Sequence, residues 1–240
     1  MSVSFLRRLK AWLKGDVDNS LADDDLSWLH PPRDIHCVEA WDQYWYKQVT
    51  HGFGPAMFDL FCEEENLISA MRRRGYATVL CAGNGISQEP RALAAAGFRV
   101  TALDTSRVAM QIAEQCDLTP EQLQRFYSPE LCAPDGSLEF VVGDLRDEAV
   151  CARPFDVVIE RCTLQLFPPD GRGSALDSLA SRLREDGILR SHCHNGGWRP
   201  NQPRKHLFEE LFREKGWVIE DGYQALRSDG RVAWLSLSTG

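Results

Sequence analysis

The sequence predicts an α/β fold: a seven-stranded, mostly parallel sheet with helices on both faces, an antiparallel last strand and a helical cover ahead of the first strand. Two observations carry this. Apolar runs of strand length at 77–82, 99–103, 139–143, 155–160 and 187–191 alternate with helical patterns at 88–96, 107–116, 171–184 and 204–215, and that alternation builds a parallel sheet covered on both sides. The chain then closes with "WVIEDGYQAL" and "RVAWLSLST", joined through "RSDG". Asp229-Gly230 is a good hairpin turn, which predicts that the last strand runs antiparallel to its neighbour.

Taken in order, residues 1–34 read as a tail and linker. "MSVSFLRRLKAWLKGD" puts Phe5, Leu6, Leu9, Trp12 and Leu13 on one helical face, with its arginines and lysines mostly elsewhere. It lacks a long apolar core or small-residue cleavage site, so a short docking helix or a frayed tail is expected rather than a signal peptide, with a place on an anionic membrane as the lesser alternative. Residues 35–240 form the domain, with 35–75 as the helical cover and 76–240 as the core. Trp41, Tyr44 and Trp45 fall at i, i+3 and i+4, "THGFGP" breaks the cover into two helices, and "MRRRG" is how a helix stops.

Composition limits what such a domain does. The chain has 240 residues, is 43% hydrophobic and 26% charged, and carries a net charge of -8. That suits a soluble globular protein and argues against a nucleic-acid-binding surface. The eight cysteines, Cys37, Cys62, Cys81, Cys116, Cys132, Cys151, Cys162 and Cys193, are scattered without a Cys-x-x-Cys pair. Reduced thiols in a cytoplasmic protein are expected. No apolar stretch approaches the ~18 residues that span a bilayer.

The chemistry concentrates at the ends of the expected strands. "YATVLCAGNGISQEPRALAAAGFRVTALD" (76–104) reads as a strand, a glycine turn, a helix and a second strand ending in an acid. Gly83 and Gly85 let the backbone turn sharply and let a ligand lie almost on the main chain. Ser87 is placed to cap the next helix, with Pro90 in its first turn. Asp104, at the carboxyl end of the adjacent strand, is placed to accept both hydroxyls of a ribose. Asp144, in "EFVVGDLRD", is placed to accept from an adenine amino group while Leu145 covers the ring. Glu160 and Arg161 end the buried strand "FDVVIER", where open sheets place their ligands; a buried Glu–Arg ion pair accounts for them equally. A dinucleotide cofactor is the competing ligand, but its fingerprint wants a third glycine where Gln88 stands.

Together "VLCAGNGIS", "VTALDTS", "VVGDL" and "FDVVIERCTLQ" resemble, in order, the first four motifs of the class I S-adenosylmethionine-dependent methyltransferases. The resemblance covers residues 76–240 and implies a Rossmann-like fold with S-adenosylmethionine as cofactor. It implies that Cys81, Gly83, Asn84, Gly85, Asp104, Thr105, Asp144, Leu145 and Glu160 contact the cofactor. The glycines would meet its methionine part, Asp104 its ribose and Asp144 its adenine. Cys81 stands where an acid is common in the family, and Ser87 replaces the final glycine. "ERCTLQLFPPDGR" and the aromatic residues ahead of the first motif are similar to the thiopurine S-methyltransferase-like branch, which implies a thiol or other soft nucleophile as acceptor.

Methyl transfer asks mainly for alignment and exclusion of water, so no obligatory catalytic group is legible. Arg161 and His194 are the catalytic candidates, and Trp41, Tyr44, Trp45, Arg161 and His194 the substrate-facing ones. His192 and His194 flank Cys193 without a further ligand pair, so no metal is expected. A small-molecule acceptor is the expected partner. A second reading is a degenerate member of the fold that binds cofactor or a partner without turnover, with Cys81 and Ser87 as its marks.

Overall fold

A computed structural model describes residues 31–50, 64–115, 133, 135–194, 205–220 and 231–238. Helix α1 (Val38–Thr50) and helix α2 (Glu64–Arg73) precede the sheet. Strand β1 (Thr78–Ala82), helix α3 (Glu89–Ala95), strand β2 (Arg99–Asp104), helix α4 (Arg107–Gln115) and strand β3 (Ser137–Val142) form one half. Strand β4 (Phe155–Arg161), a 3-10 turn (Leu164–Leu166), helix α5 (Pro169–Ala180), strand β5 (Leu183–His194), helix α6 (Lys205–Glu214), strand β6 (Trp217–Glu220) and strand β7 (Arg231–Ser238) form the other.

The seven strands lie in the order β3-β2-β1-β4-β5-β7-β6. Chain order reverses between β1 and β4, and at such a switch point the loops after the two strands diverge and leave a crevice. Strand alternation divides the core in two. Val79, Cys81, Val157, Ile159 and Ile188 pack with Leu67, Ile68 and Met71 of α2 and Ala92 and Leu93 of α3. Leu80, Ala82, Val158 and Leu189 face the other way, onto Ala175, Leu176 and Leu179 of α5, Phe212 of α6 and Trp217. A third cluster joins α1 to α4: Val49 and Trp45 pack with Ile86, Ala109, Met110, Ile112 and Ala113.

Two expectations change. The last strand is parallel, not antiparallel: β7 pairs in parallel register with β5, from Ile188↔Val232 to His194↔Ser238, and with β6, from Trp217↔Arg231 to Glu220↔Trp234. A tight hairpin forces reversal, but residues 221–230 separate these strands, and ten residues reach up to ~33 Å. That is ample to recross the four residues of β6. The helix expected over 171–184 ends at Ala180 and β5 begins at Leu183. Arg182 enforces this early exit: it is 1% exposed, and its guanidinium donates to the carbonyls of Asp147, Val150 and Ser178.

The helix cover is present, with Gly75 at φ +70 after the arginines of α2. The amphipathic start, most of the linker, the "THGFGP" break and the "RSDG" turn lie outside the described residues. Among the described residues no helix is long and apolar enough to cross a membrane.

Candidate functional site

The turn after β1 is built on left-handed glycines. Gly83 and Gly85 have φ +66 and +54, a region that L side chains resist. Their missing side chains also make room for two others. A Cβ on Gly83 would collide with the Thr163 side chain, and one on Gly85 would lie 2.6 Å from Cζ2 of Trp45. Asn84 braces the loop, its Nδ2 donating to the carbonyls of Gly85 (3.2 Å) and Ser87 (3.3 Å). Ser87 Oγ accepts from Glu89 N at 3.2 Å, although Gln88 occupies the backbone cap position of α3. Gln88 is 2% exposed and fills the place where a dinucleotide turn would need its third glycine.

Asp104 faces this loop from the end of β2. Its Oδ2 accepts from Gly85 N at 2.7 Å and its Oδ1 from Ser106 N at 2.8 Å. The Thr105 backbone also donates to it. Burial pushes the Asp104 carboxyl up to about 6, and the nearby Asp42 carboxylate adds to the rise against the three backbone donors. A carboxylate has roughly four acceptor sites, so Asp104 keeps acceptor capacity beside two glycines.

The other predicted residues separate. Asp144 is gripped by Arg146, whose Nε (3.0 Å) and Nη2 (2.5 Å) reach its two oxygens. That hydrogen bonding holds the Asp144 carboxyl below its ordinary value. Leu145 is mostly buried in the α5 face, and its carbonyl accepts from Ser178 Oγ at 2.7 Å. Cys81 is 3% exposed within the apolar core on the α2–α3 side, so the thiol packs among aliphatic side chains rather than facing the turn.

Glu160 and Arg161 do not pair with each other. Neighbouring residues on a strand point to opposite faces, and each finds its own partner. Arg161 forms a two-pronged ion pair with Glu89, Nε to Oε2 at 2.5 Å and Nη2 to Oε1 at 2.6 Å. Both side chains are almost wholly buried. Glu160, also buried, caps the turn after β4: its Oε2 accepts from Thr163 N (3.0 Å) and Leu164 N (3.1 Å), and its Oε1 from Ser191 Oγ. Desolvation raises its carboxyl against these donors. Three donors of the fold thus meet the Glu160 carboxylate, as three backbone donors meet that of Asp104.

The aromatic stripe divides too. Trp41 and Tyr44 are buried and meet edge to face, ring centroids 5.7 Å apart. Burial raises the Tyr44 hydroxyl to about 12, and Trp41 Nε1 donates to Ile35 O at 3.0 Å. Trp45 alone reaches the glycine turn, and its Nε1 is buried with no hydrogen-bond partner among the described residues. His192, 4% exposed, pairs in register with Arg161. His194 ends β5, and its side chain lies outside the described residues.

Sequence reasoning missed Asp42, Glu89 and Thr163. Asp42 sits inside the aromatic stripe and Glu89 beside Pro90. The one available signal was a charge on an otherwise buried helix face, and helix boundaries alone do not expose it.

Residues 80–190 match a family model described as "Methyltransferase domain". A curated relative, the carboxy-S-adenosyl-L-methionine synthase of Psychrobacter arcticus, is 29% identical over 97 residues, or 40% of this chain and 32% of the relative. The match thus spans about a third of the relative's length. A magnesium protoporphyrin IX methyltransferase from Synechocystis, solved with bound SAM, superposes at TM-score 0.47 and 17% identity over 90% of this chain and 87% of its own. A TehB-like SAM-dependent methyltransferase from Corynebacterium glutamicum superposes at TM-score 0.46 and 22% identity, covering 74% and 81%.

Proposed function

We propose that the chain is a class I S-adenosylmethionine-dependent methyltransferase, in which the Gly83–Gly85 turn and Asp104 hold that cofactor for transfer of its methyl group to a small molecule; the match of residues 80–190 to a methyltransferase-domain model supports this reading. The carrying observation is Asp104: a buried acid at the switch-point edge of the sheet, hydrogen-bonded to the glycine turn and still able to accept. The residues present fit the cofactor. The left-handed glycines bare the backbone, Asp104 offers oxygens to ribose hydroxyls, and Trp45 brings an unpartnered indole N–H to the same turn.

When bound, S-adenosylmethionine supplies an electrophilic methyl on a sulfonium. The chain contributes position and shelter. Thr163 and Trp45 wall the turn on two sides, and the Glu89–Arg161 pair locks the start of α3 to the end of β4, so the turn is rigid where alignment matters. In this reading Arg161 fixes the cradle rather than holding a substrate acid, because Glu89 already occupies both prongs. Thr105, next to Asp104, and Asn84 are second contacts. The Asp144–Leu145 turn flanks the adenine end, with Arg146 as a competitor for Asp144. His194, at the carboxyl end of β5, is the acceptor-side candidate.

The net charge of -8 supports a small-molecule acceptor over a polyanion. A soft nucleophile such as a thiol is the finer form of the proposal, drawn from the wording of 160–172, and reduced cysteines suit a cytoplasmic setting. Calorimetric titration of the full chain with S-adenosylhomocysteine tests the cofactor site. Binding is expected, and Asp104→Ala should weaken it about a hundredfold with the fold intact by circular dichroism. Unchanged affinity in that variant would remove the ribose assignment. Turnover of methyl-labelled cofactor against candidate acceptors then separates an enzyme from a binder.

A further inference from the structure

Helix α1 meets the site through a contact that the glycine turn does not itself require. Asp42 Oδ1 accepts from Ser106 Oγ at 2.6 Å and from Val108 N at 3.1 Å. Ser106 already caps α4, since its Oγ accepts from Ala109 N at 3.1 Å, and its own N–H donates to Asp104. Asp104 in turn holds Gly85, and Gly85 faces Trp45. Trp45 lies three residues after Asp42 on α1, hence on the same side of the helix. The contacts close a ring: Asp42, Ser106, Asp104, Gly85, Trp45, and back along one helical turn.

Capping α4 accounts for only part of this. The first turn of α4 already has a serine cap, so Asp42 adds one acceptor for Val108 N and one for the serine hydroxyl. What it adds uniquely is the rotational setting of α1. Apolar packing of Val49 and Trp45 on Ile86, Ala109 and Met110 is tolerant of small rotations, whereas two hydrogen bonds to one oxygen are directional. The helix is thereby fixed with the Trp45 ring on Gly85 and its N–H buried without a partner. A buried donor left open is costly, and a ligand oxygen beside Gly85 would remove that cost.

We infer that Asp42 is a positioning residue of the cofactor site: it clamps α1 to the Ser106 turn and so seats Trp45, whose indole N–H donates to an oxygen of the bound adenosyl amino acid. This rests on the cofactor reading above.

The test uses the full chain, S-adenosylhomocysteine as probe, calorimetry for Kd, and thermal unfolding with and without the probe. Asp42→Ala should raise Kd about tenfold, and Asp42→Asn, whose amide oxygen accepts the same two donors, should stay within about threefold. Trp45→Phe keeps a ring and loses the N–H, and should raise Kd about fivefold. The double variant Asp42→Ala/Trp45→Phe should be no weaker than about tenfold, because residues acting through one another do not add. A clamp that only stabilises the fold would lower the Tm of free Asp42→Ala and leave its Kd unchanged, which overturns the inference. Fully additive losses overturn it as well. If the wild-type chain fails to bind the probe, the cofactor reading falls and takes the clamp with it; if wild type binds and Asp42→Ala binds equally, only the clamp falls.

Discussion

Asp104 and Glu160 close the carboxyl ends of β2 and β4, one strand apart across β1. Both are buried, and burial raises both carboxyls. They differ in what their donors belong to. Glu160 takes Thr163 N, Leu164 N and the Ser191 hydroxyl, all of which hold the turn after its own strand to β5. Asp104 takes Gly85 N and Ser106 N, which join the glycine turn to a helix cap and, through Asp42, to the covering helix. A strand-end acid therefore does not declare its task by position. The acid whose donors join a glycine turn to a neighbouring helix cap is the one on which the cofactor proposal rests, while Glu160 caps the turn after its own strand.

The comparison breaks most readily at Glu160. Glu160→Ala leaves three buried donors without their acceptor and should cost about 3 kcal/mol, lowering Tm by roughly 6–12 °C in a domain of this size. Any change in affinity for S-adenosylhomocysteine should stay small in the protein that remains folded. Thermal unfolding and titration of the same sample give both numbers. A hundredfold loss of affinity with unchanged Tm would reverse the assignment and make Glu160 the ligand acid.

Much of this was legible in the sequence, for a physical reason. Strand and helix periodicity is local, so the five strands from β1 to β5 and helices α3 and α4 follow from patterns within a few residues of each other. Gly83, Gly85 and Asp104 share that advantage because one strand–turn–helix–strand unit places them. The ion pair of Arg161 with Glu89 and the contact of Asp42 with Ser106 span 72 and 64 residues, and no local pattern encodes them. "ER" in sequence looked like a pair because its members are adjacent, yet adjacency on a strand is what separates them. The direction of β7 escaped similarly: Asp229-Gly230 announces a turn in the sequence, but β7 pairs in parallel with both β5 and β6.

Titration sharpens the contrast next. With a carboxyl at about 6 against an ordinary 3.8, folded Asp104 holds its proton longer than the unfolded chain does. Its contribution to stability is therefore largest below 3.8 and declines as pH rises through 6. On the proposed ribose contact, ligand binding has the opposite slope, because ribose hydroxyls would donate to the charged form. Affinity for S-adenosylhomocysteine should rise about tenfold from pH 5 to pH 7.5, the change in the charged fraction of a group titrating near 6. Asp42 is the neighbouring acid, so Asp42→Asn should shift the midpoint downward. Asp104→Asn should flatten the profile and Glu160→Gln should not. A flat wild-type profile would mean that Asp104 does not meet the ligand.

The smallest expected effect lies at the proposed adenine contact, where the acid is half of a surface pair rather than buried. Asp144 and Arg146 are both substantially exposed, at 39% and 44%, and such a pair is worth about 0.2–1 kcal/mol. A ligand that needs Asp144 must first displace Arg146. Arg146→Ala removes the competitor, so Kd for S-adenosylhomocysteine should fall about two- to threefold, with Tm nearly unchanged. Asp144→Ala should raise Kd by a similar factor, and the double variant should resemble Asp144→Ala, since Arg146 acts only through the carboxylate it occupies. If Arg146→Ala weakens binding instead, Arg146 itself touches the ligand, and the adenine end is read by the cation rather than by the acid that the third motif led one to expect.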